Sequence, residues 1–242
     1  MKVCLAGTST LQYNPEIVKQ SKYLLESFFS IRDFQKPFIK SSDLFILDSG
    51  AFTFMSVGKK VDLNDFTSKY IEFINRNNVE YFFELDIDSI IGLSKVENIR
   101  YRLERETKKK CIPVWHKSRG KDYYLEMIKE YDYVAIGGIA IKNIKRSEYK
   151  YFKWFIEEAH KHNCKIHGLG MTSIKELHKY PFDSVDSTTW LSGARFGTVF
   201  QYQNGGLKTI SFKNRRTIDY KKVNNHNFME WVKFQKYADM HL

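Results

Sequence analysis

Six short stretches place carboxylates, histidines or glycines where an apolar run ends: LDSGAF at 47–52, ELDID at 84–88, VWHK at 114–117, AIGGIA at 135–140, HGLG at 167–170 and FDSVDSTTW at 182–190. Carboxylates gathered from several strand ends can divide two tasks, one attacking as a nucleophile and another moving a proton. Glycines let a planar ligand approach the backbone, whose N–H and C=O groups can read its polar edge. Phe52 offers a face for stacking. The set suits a flat heterocycle joined to a sugar better than a phosphate, because neither GxGxxG nor GxxxxGK[ST] occurs.

Each feature also has a structural role open to it. Asp, Ser and Gly are common turn formers, and Asp86 or Asp88 can cap the helix that follows. Gly137-Gly138 can serve as a tight strand exit, and His116 and His167 can be satisfied structural histidines. Asp183 and Asp186 are three apart, so one of them can be structural. The alternation of Glu84, Asp86 and Asp88 places them on one face of an extended strand.

The elements that must position these groups follow from apolar patterning. Strands are expected at 2–6, 44–48, 80–86, 111–115, 133–137, 165–169, 184–187 and 198–202, with helical periodicity at 15–30, 63–77, 94–109, 121–131, 147–162 and 173–179. Asn14 before Pro15, Asp62 and Ser94 are placed to start helices. Eight strands alternating with helices imply an α/β fold, a TIM (β/α)8 barrel, with an open doubly wound sheet as the competitor. A hairpin at 203–214 and a terminal helix at 217–240 complete a single expected domain over 1–242. Barrel chemistry gathers at the C-terminal strand ends, where the polar residues recur.

The 242-residue chain is 43% hydrophobic and 16% aromatic, enough for a large core and too apolar for disorder. No apolar run approaches a membrane span and no signal-peptide pattern opens the chain, so a cytoplasmic protein is expected. Cys4, Cys111 and Cys164 are isolated, which argues for buried thiols rather than a disulfide or zinc site. The net charge of +11, from 39 basic and 28 acidic residues, favours polyanionic partners or provides a solvated surface. Aromatic residues among the cations tilt that balance towards nucleic acid.

In order and approximate spacing, LDSGAF, ELDID, AIGGIA, HGLG and FDSVDSTTWLSGARFG resemble the tRNA-guanine transglycosylase superfamily. The nearest branch is the DpdA-like DNA transglycosylases of phages and bacteria, which insert 7-deazaguanine bases into DNA. The resemblance implies a TIM barrel, with Asp186 as nucleophile and Asp48 as general acid/base. It places Ser49, Gly50, Phe52, Asp86 (or Asp88), Gly137 and Gly138 around the base. His116 stands where the family usually has glutamine, and His167 where it commonly has methionine. No cysteine follows Cys164, so the zinc subdomain of the tRNA enzymes is missing and no metal or cofactor is expected.

The expected reaction exchanges guanine in DNA for a 7-deazaguanine such as preQ0, with tRNA as the alternative substrate and a non-catalytic nucleic-acid-binding barrel as the other reading. Basic segments at 100–110, 116–121 and 213–222 are candidates to hold phosphates. Within them Lys117, Arg119, Lys121, Arg215 and Arg216, and, closely following Asp186, Trp190 and Arg195, are the expected nucleic-acid contacts.

Overall fold

The computed structural model describes residues 1–51, 53, 62–211 and 219–242, without the side chains of Ala194, Arg195 and Ser211. Eight parallel strands make one sheet: β1 (Lys2–Ala6), β2 (Tyr23–Ser27), β3 (Leu44–Asp48), β4 (Tyr81–Phe82), β5 (Val114–Trp115), β6 (Tyr133–Ile136), β7 (Lys165–Gly168) and β8 (Ser184–Ser187). Their order is β4-β3-β2-β1-β8-β7-β6-β5. The two ends of that order meet just beyond β4 and just before β5, through a parallel bridge between Phe83 and Ile112. Ile112 N–H donates to the Phe82 carbonyl at 2.8 Å, and Glu84 N–H donates to the Ile112 carbonyl at 3.1 Å. The ring is closed, an (α/β) barrel of the TIM type.

The eight barrel strands are not the eight read from the sequence. Residues 15–30, expected as a helix, form a 3₁₀ turn at Pro15–Gln20 and then β2. The expected eighth strand at 198–202 lies outside the barrel, in the antiparallel hairpin of β9 (Thr198–Gln203) and β10 (Gly206–Ser211). The physical reason lies in YLLES: three apolar residues followed by two polar ones have no periodicity of their own, and only pairing to β1 and β3 makes them a strand.

Helices cover the outside. The longer ones are α1 (Leu63–Asn77), α2 (Leu93–Thr107), α3 (Gly120–Glu130), α4 (Phe152–Lys161) and α5 (Tyr220–His241). The Asp62 carboxylate caps α1 by accepting from the N–H groups of Asn64 and Asp65, and Phe66, Tyr70, Ile71 and Ile74 turn one stripe to the sheet. Ser94 caps nothing, because α2 starts one residue earlier after Gly92. Residues 173–179 give only a single turn at Ile174–Leu177.

Strand alternation divides the apolar side chains into two layers. Val3, Leu5, Leu24, Phe45, Leu47, Val134 and Ile166 meet the helices. Cys4, Ala6, Leu25, Ile46, Phe83, Val114 and Ala135 fill the barrel interior. The terminal helix is tied to this frame by buried amides: Gln235 donates to the carbonyls of Val3 and Tyr23, and Asn227 to those of Trp190 and Thr198. Among the described residues no helix is long and apolar enough to cross a membrane.

Candidate active site

The interior parity of each strand decides what stands at the barrel mouth. Ile46 points inward, so Asp48, two residues on, does too at the C-terminal end of β3. Val114 leads in the same way to His116, and Ser184 to Asp186. Asp48, Asp86, Asp88, His116 and Asp186 line one cavity of 580 Å³, whose wall also includes Ser49 and Gly138.

The carboxyl of Asp48 is strongly perturbed by its environment. Burial is the largest influence on its carboxyl, and the charges of Asp86 and Asp186 add to it. Backbone hydrogen bonds from Gly50 and Ser49 offset part of this, and the pKa stands at about 7. A carboxyl group poised there exchanges its proton near neutral pH.

Asp186 is held by hydrogen bonds. Gly170 N–H donates to its Oδ1 at 2.5 Å, and His167 Nε2 lies 3.3 Å from the same oxygen. Below it, Ser184 Oγ lies 2.5 Å from His167 Nδ1, and Tyr133 Oη is bonded to Ser184 Oγ. Tyr133, Ser184, His167 and Asp186 thus form one hydrogen-bonded chain. All of the relay below Asp186 lies in the barrel interior, shielded from solvent, with His167 tilted against Phe83 at a ring-centroid distance of 5.3 Å.

On the opposite wall His116 is bonded to Asp86. Burial disfavours the imidazolium, but the bond and charge of Asp86, with Asp88 adding, outweigh burial and raise the His116 pKa. Asp88 accepts from Arg119 Nε at 2.9 Å, and Arg119 Nη1 lies 2.9 Å from Glu84 Oε1. Glu84 is therefore not on the face of Asp86 and Asp88. It turns outward, as the neighbour of interior-facing Phe83 must, into a buried cluster with Arg100 and Arg119; the alternation breaks just after it, beyond the last bridge at Phe83, and so brings Asp86 to the cavity. The ligand atoms of Asp86, Asp88 and His116 lie within 4.8 Å of one another, a donor set that suits a divalent cation. His116 and Arg119 already balance both carboxylates.

No protein-family model matches the chain, and no curated protein matches its sequence. Solved structures do resemble it. They include the carboxyl transferase domain of Rhizobium etli pyruvate carboxylase with 3-bromopyruvate, with 3-hydroxypyruvate and with oxalate. Each is 13% identical, covers 98% of this chain and 48% of its own, and has a TM-score of 0.50. The likeness is one of fold. The chain spans about half the length of those structures.

Several expected site residues have other duties. Gly50, at a φ of +71°, carries the turn that sends amides to Asp48, and a Cβ there would stand 2.2 Å from Ser27 Oγ. Gly137 gives clearance to His116, whose ring a Cβ would strike at 2.5 Å. His167 lies behind Asp186 and outside the cavity wall. Asp183 is structural, accepting from Ile166 N–H at 2.8 Å and meeting His160 at 3.0 Å.

The expected nucleic-acid contacts are also redistributed. Trp190 is fully buried, donating to the Ala6 carbonyl and packing edge-on to Phe228, so it contacts no nucleotide. Arg119 is consumed by its buried ion pairs. Lys117 lines the cavity and pairs with Glu148, while Lys121 covers the Trp154 ring at 4.5 Å. Phe52, Arg215 and Arg216, and the side chain of Arg195, lie outside the described residues.

The sequence reading missed Glu26, Ser27 and Ser30, because it had assigned them to a helix. Ser27 and Ser30 line the cavity, with Ser27 paired across the sheet to Asp48. Glu26 is buried beneath the loop after β1, accepting from Thr8 N–H at 3.1 Å and Thr8 Oγ1 at 2.5 Å, and burial takes its pKa to about 7. The Leu24-Leu25-Glu26-Ser27 run, apolar and then polar, repeats the form of Ile46-Leu47-Asp48-Ser49 and was the available signal.

Proposed function

We propose that the chain is a base-exchanging transglycosylase that replaces guanine in DNA with a 7-deazaguanine by double displacement. One observation carries the reading: carboxylates from β3 and β8 share a single cavity but sit in unlike environments, Asp48 with a pKa near 7 and Asp186 fixed by donors. Asp186 attacks C1′ of the target nucleoside, the C1′–N9 bond breaks, and its electrons pass to guanine N9, which takes the Asp48 proton. Guanine departs and the incoming base occupies the same space. The now ionised Asp48 removes its N9 proton, and N9 attacks C1′ as the bond to Asp186 breaks.

Asp86 accepts from the N–H edge of the base, and His116⁺ orients Asp86 while balancing its charge. The Gly138 backbone, at a φ of +80°, brings the chain close to the ring without a side chain intervening. The target nucleotide is flipped out of a duplex or offered by a single strand.

The test is incubation with DNA or tRNA and labelled guanine. Incorporation into DNA that is lost in Asp186→Ala supports the reading. Incorporation into tRNA alone transfers it to the tRNA enzymes, and guanine release without incorporation indicates a glycosylase.

A further inference from the structure

A second cavity, of 540 Å³, adjoins the first on the same rim and shares Ala140 and Ile144 with it. Its wall is unlike that of the first. It has no carboxylate, and it presents Lys142, Lys145 and Arg146 together with the hydroxyl residues Tyr149, Thr172 and Ser173. None of the three cations has a carboxylate within ion-pair distance among the described residues. Glu148 forms its ion pair with Lys117 while also accepting from Lys145 N–H and lying in the field of Lys145, and Glu176 pairs with Lys179.

This contrasts with the basic stretch at 100–110. There Arg102 and Arg105 meet Glu106, Lys109 meets Glu80, and Lys110 meets Glu104 and Glu130. Those charges are largely balanced within the protein, whereas Lys142, Lys145 and Arg146 make no ion pair among the described residues. A concave site with three cations free of ion pairs, hydroxyl donors and no acid in its wall selects an anion.

The partition between the cavities is also part of the catalytic frame. Gly170 lines the second cavity and gives its N–H to Asp186, and its φ is +73°. A Cβ on Gly170 would come within 2.7 Å of the Ala140 side chain, so the two rim loops touch at this glycine.

We infer that the second cavity is a phosphate subsite that grips the phosphodiester backbone beside the target nucleotide, with Lys142, Lys145 and Arg146 as its cations. The inference rests on the proposed nucleic-acid substrate. The binding chemistry is that of a phosphate group, and a polynucleotide is the occupant because the cavity opens beside the one that takes the base. Lys142, Lys145 and Arg146 position the strand and take no part in bond making.

The test is fluorescence anisotropy of a labelled oligodeoxynucleotide over a range of salt concentrations, with no exchange substrate present. Lys145→Ala/Arg146→Ala should weaken binding at least about tenfold and lower the salt slope by about 2. Lys129→Ala, in the last turn of α3 and far from the rim, should do neither. Equal weakening in both proteins, or an unchanged slope, overturns the subsite. Inorganic phosphate or pyrophosphate competing as strongly as unlabelled oligonucleotide overturns the assignment to a polynucleotide. Binding that depends on these residues in a protein that performs no base exchange would keep the subsite and remove the proposed reaction.

Discussion

His167 Nε2 lies 3.3 Å from Asp186 Oδ1, on the barrel side of a carboxylate whose outer side opens to the cavity. The imidazole is fully buried and its other nitrogen is engaged by Ser184, so the ring cannot turn away without breaking a hydrogen bond. In the proposed reaction this makes His167 a positioning residue for Asp186. His167→Ala should slow exchange by about 10- to 100-fold, since small misplacement of an attacking group costs that much. The loss should fall on kcat, with KM for DNA little changed, and His167→Gln should recover part of it. A loss confined to KM would show that His167 acts on the substrate instead.

In the proposed reaction Asp48 sets a pH limb: its protonated form gives a proton to the leaving guanine, so formation of the glycosyl–enzyme adduct should decline as pH rises through about 7. Asp48→Asn should lower exchange by about 10²- to 10⁴-fold and abolish that limb. Rapid-quench measurement of adduct between pH 5.5 and 8.5 reads both effects. An unchanged limb in the variant would assign it elsewhere.

Glu26 makes stability depend on pH. Its folded pKa of about 7 exceeds the ordinary value of 4.5, so its contribution is fully present below pH 4.5 and is lost as pH rises through 7. The loss is on the order of 3 kcal/mol. Asp48 adds a slope of the same sign. Glu26→Gln retains the shape of the protonated acid and should flatten the decline seen by urea denaturation at pH 5 and pH 8. The same decline in wild type and variant would exclude Glu26 as its source.

Arg119 should behave as a core residue despite its basic sequence context. Arg119→Ala leaves Glu84 and Asp88 short of their partner and should destabilise the fold by about 3–5 kcal/mol. Oligonucleotide affinity of the folded fraction should stay near wild type. Full stability with weakened DNA binding would reverse this placement.

Gly50 and Gly92 both occupy the left-handed region, at φ of +71° and +87°, but only Gly50 is crowded by neighbours. Gly50→Ala should therefore be the more damaging, by about 1–3 kcal/mol or more, with a fall of about 2–4 °C in Tm for each kcal/mol. Gly92→Ala incurs the backbone strain alone. Equal melting temperatures for the two variants would show that the contact with Ser27 relaxes freely.

Much of the site was readable because it depends on local rules. Asp48, His116 and Asp186 each follow an interior-facing side chain by two residues, and period-two alternation fixes that relation wherever the strand is recognised. The same rule failed between Glu84 and Asp86, where pairing has stopped at Phe83 and the residues beyond Glu84 no longer alternate. It had no chance at Glu26 and Ser27, because YLLES carries no period that distinguishes a strand from one turn of a helix.

The sequence by itself determined the rhythm of apolar runs and helices, the helix cap at Asp62, and the polar groups that end β3, β5 and β8. These are consequences of neighbours in the chain. Tertiary structure decided which runs form the barrel, that Phe83 meets Ile112 to close it, and that Trp190, Arg119 and His167 are buried rather than offered to a ligand. It also left Lys142, Lys145 and Arg146 without ion pairs among the described residues while balancing the longer basic stretch. Those outcomes turn on which partner arrives from far along the chain, and desolvation in a closed barrel makes that partner decisive.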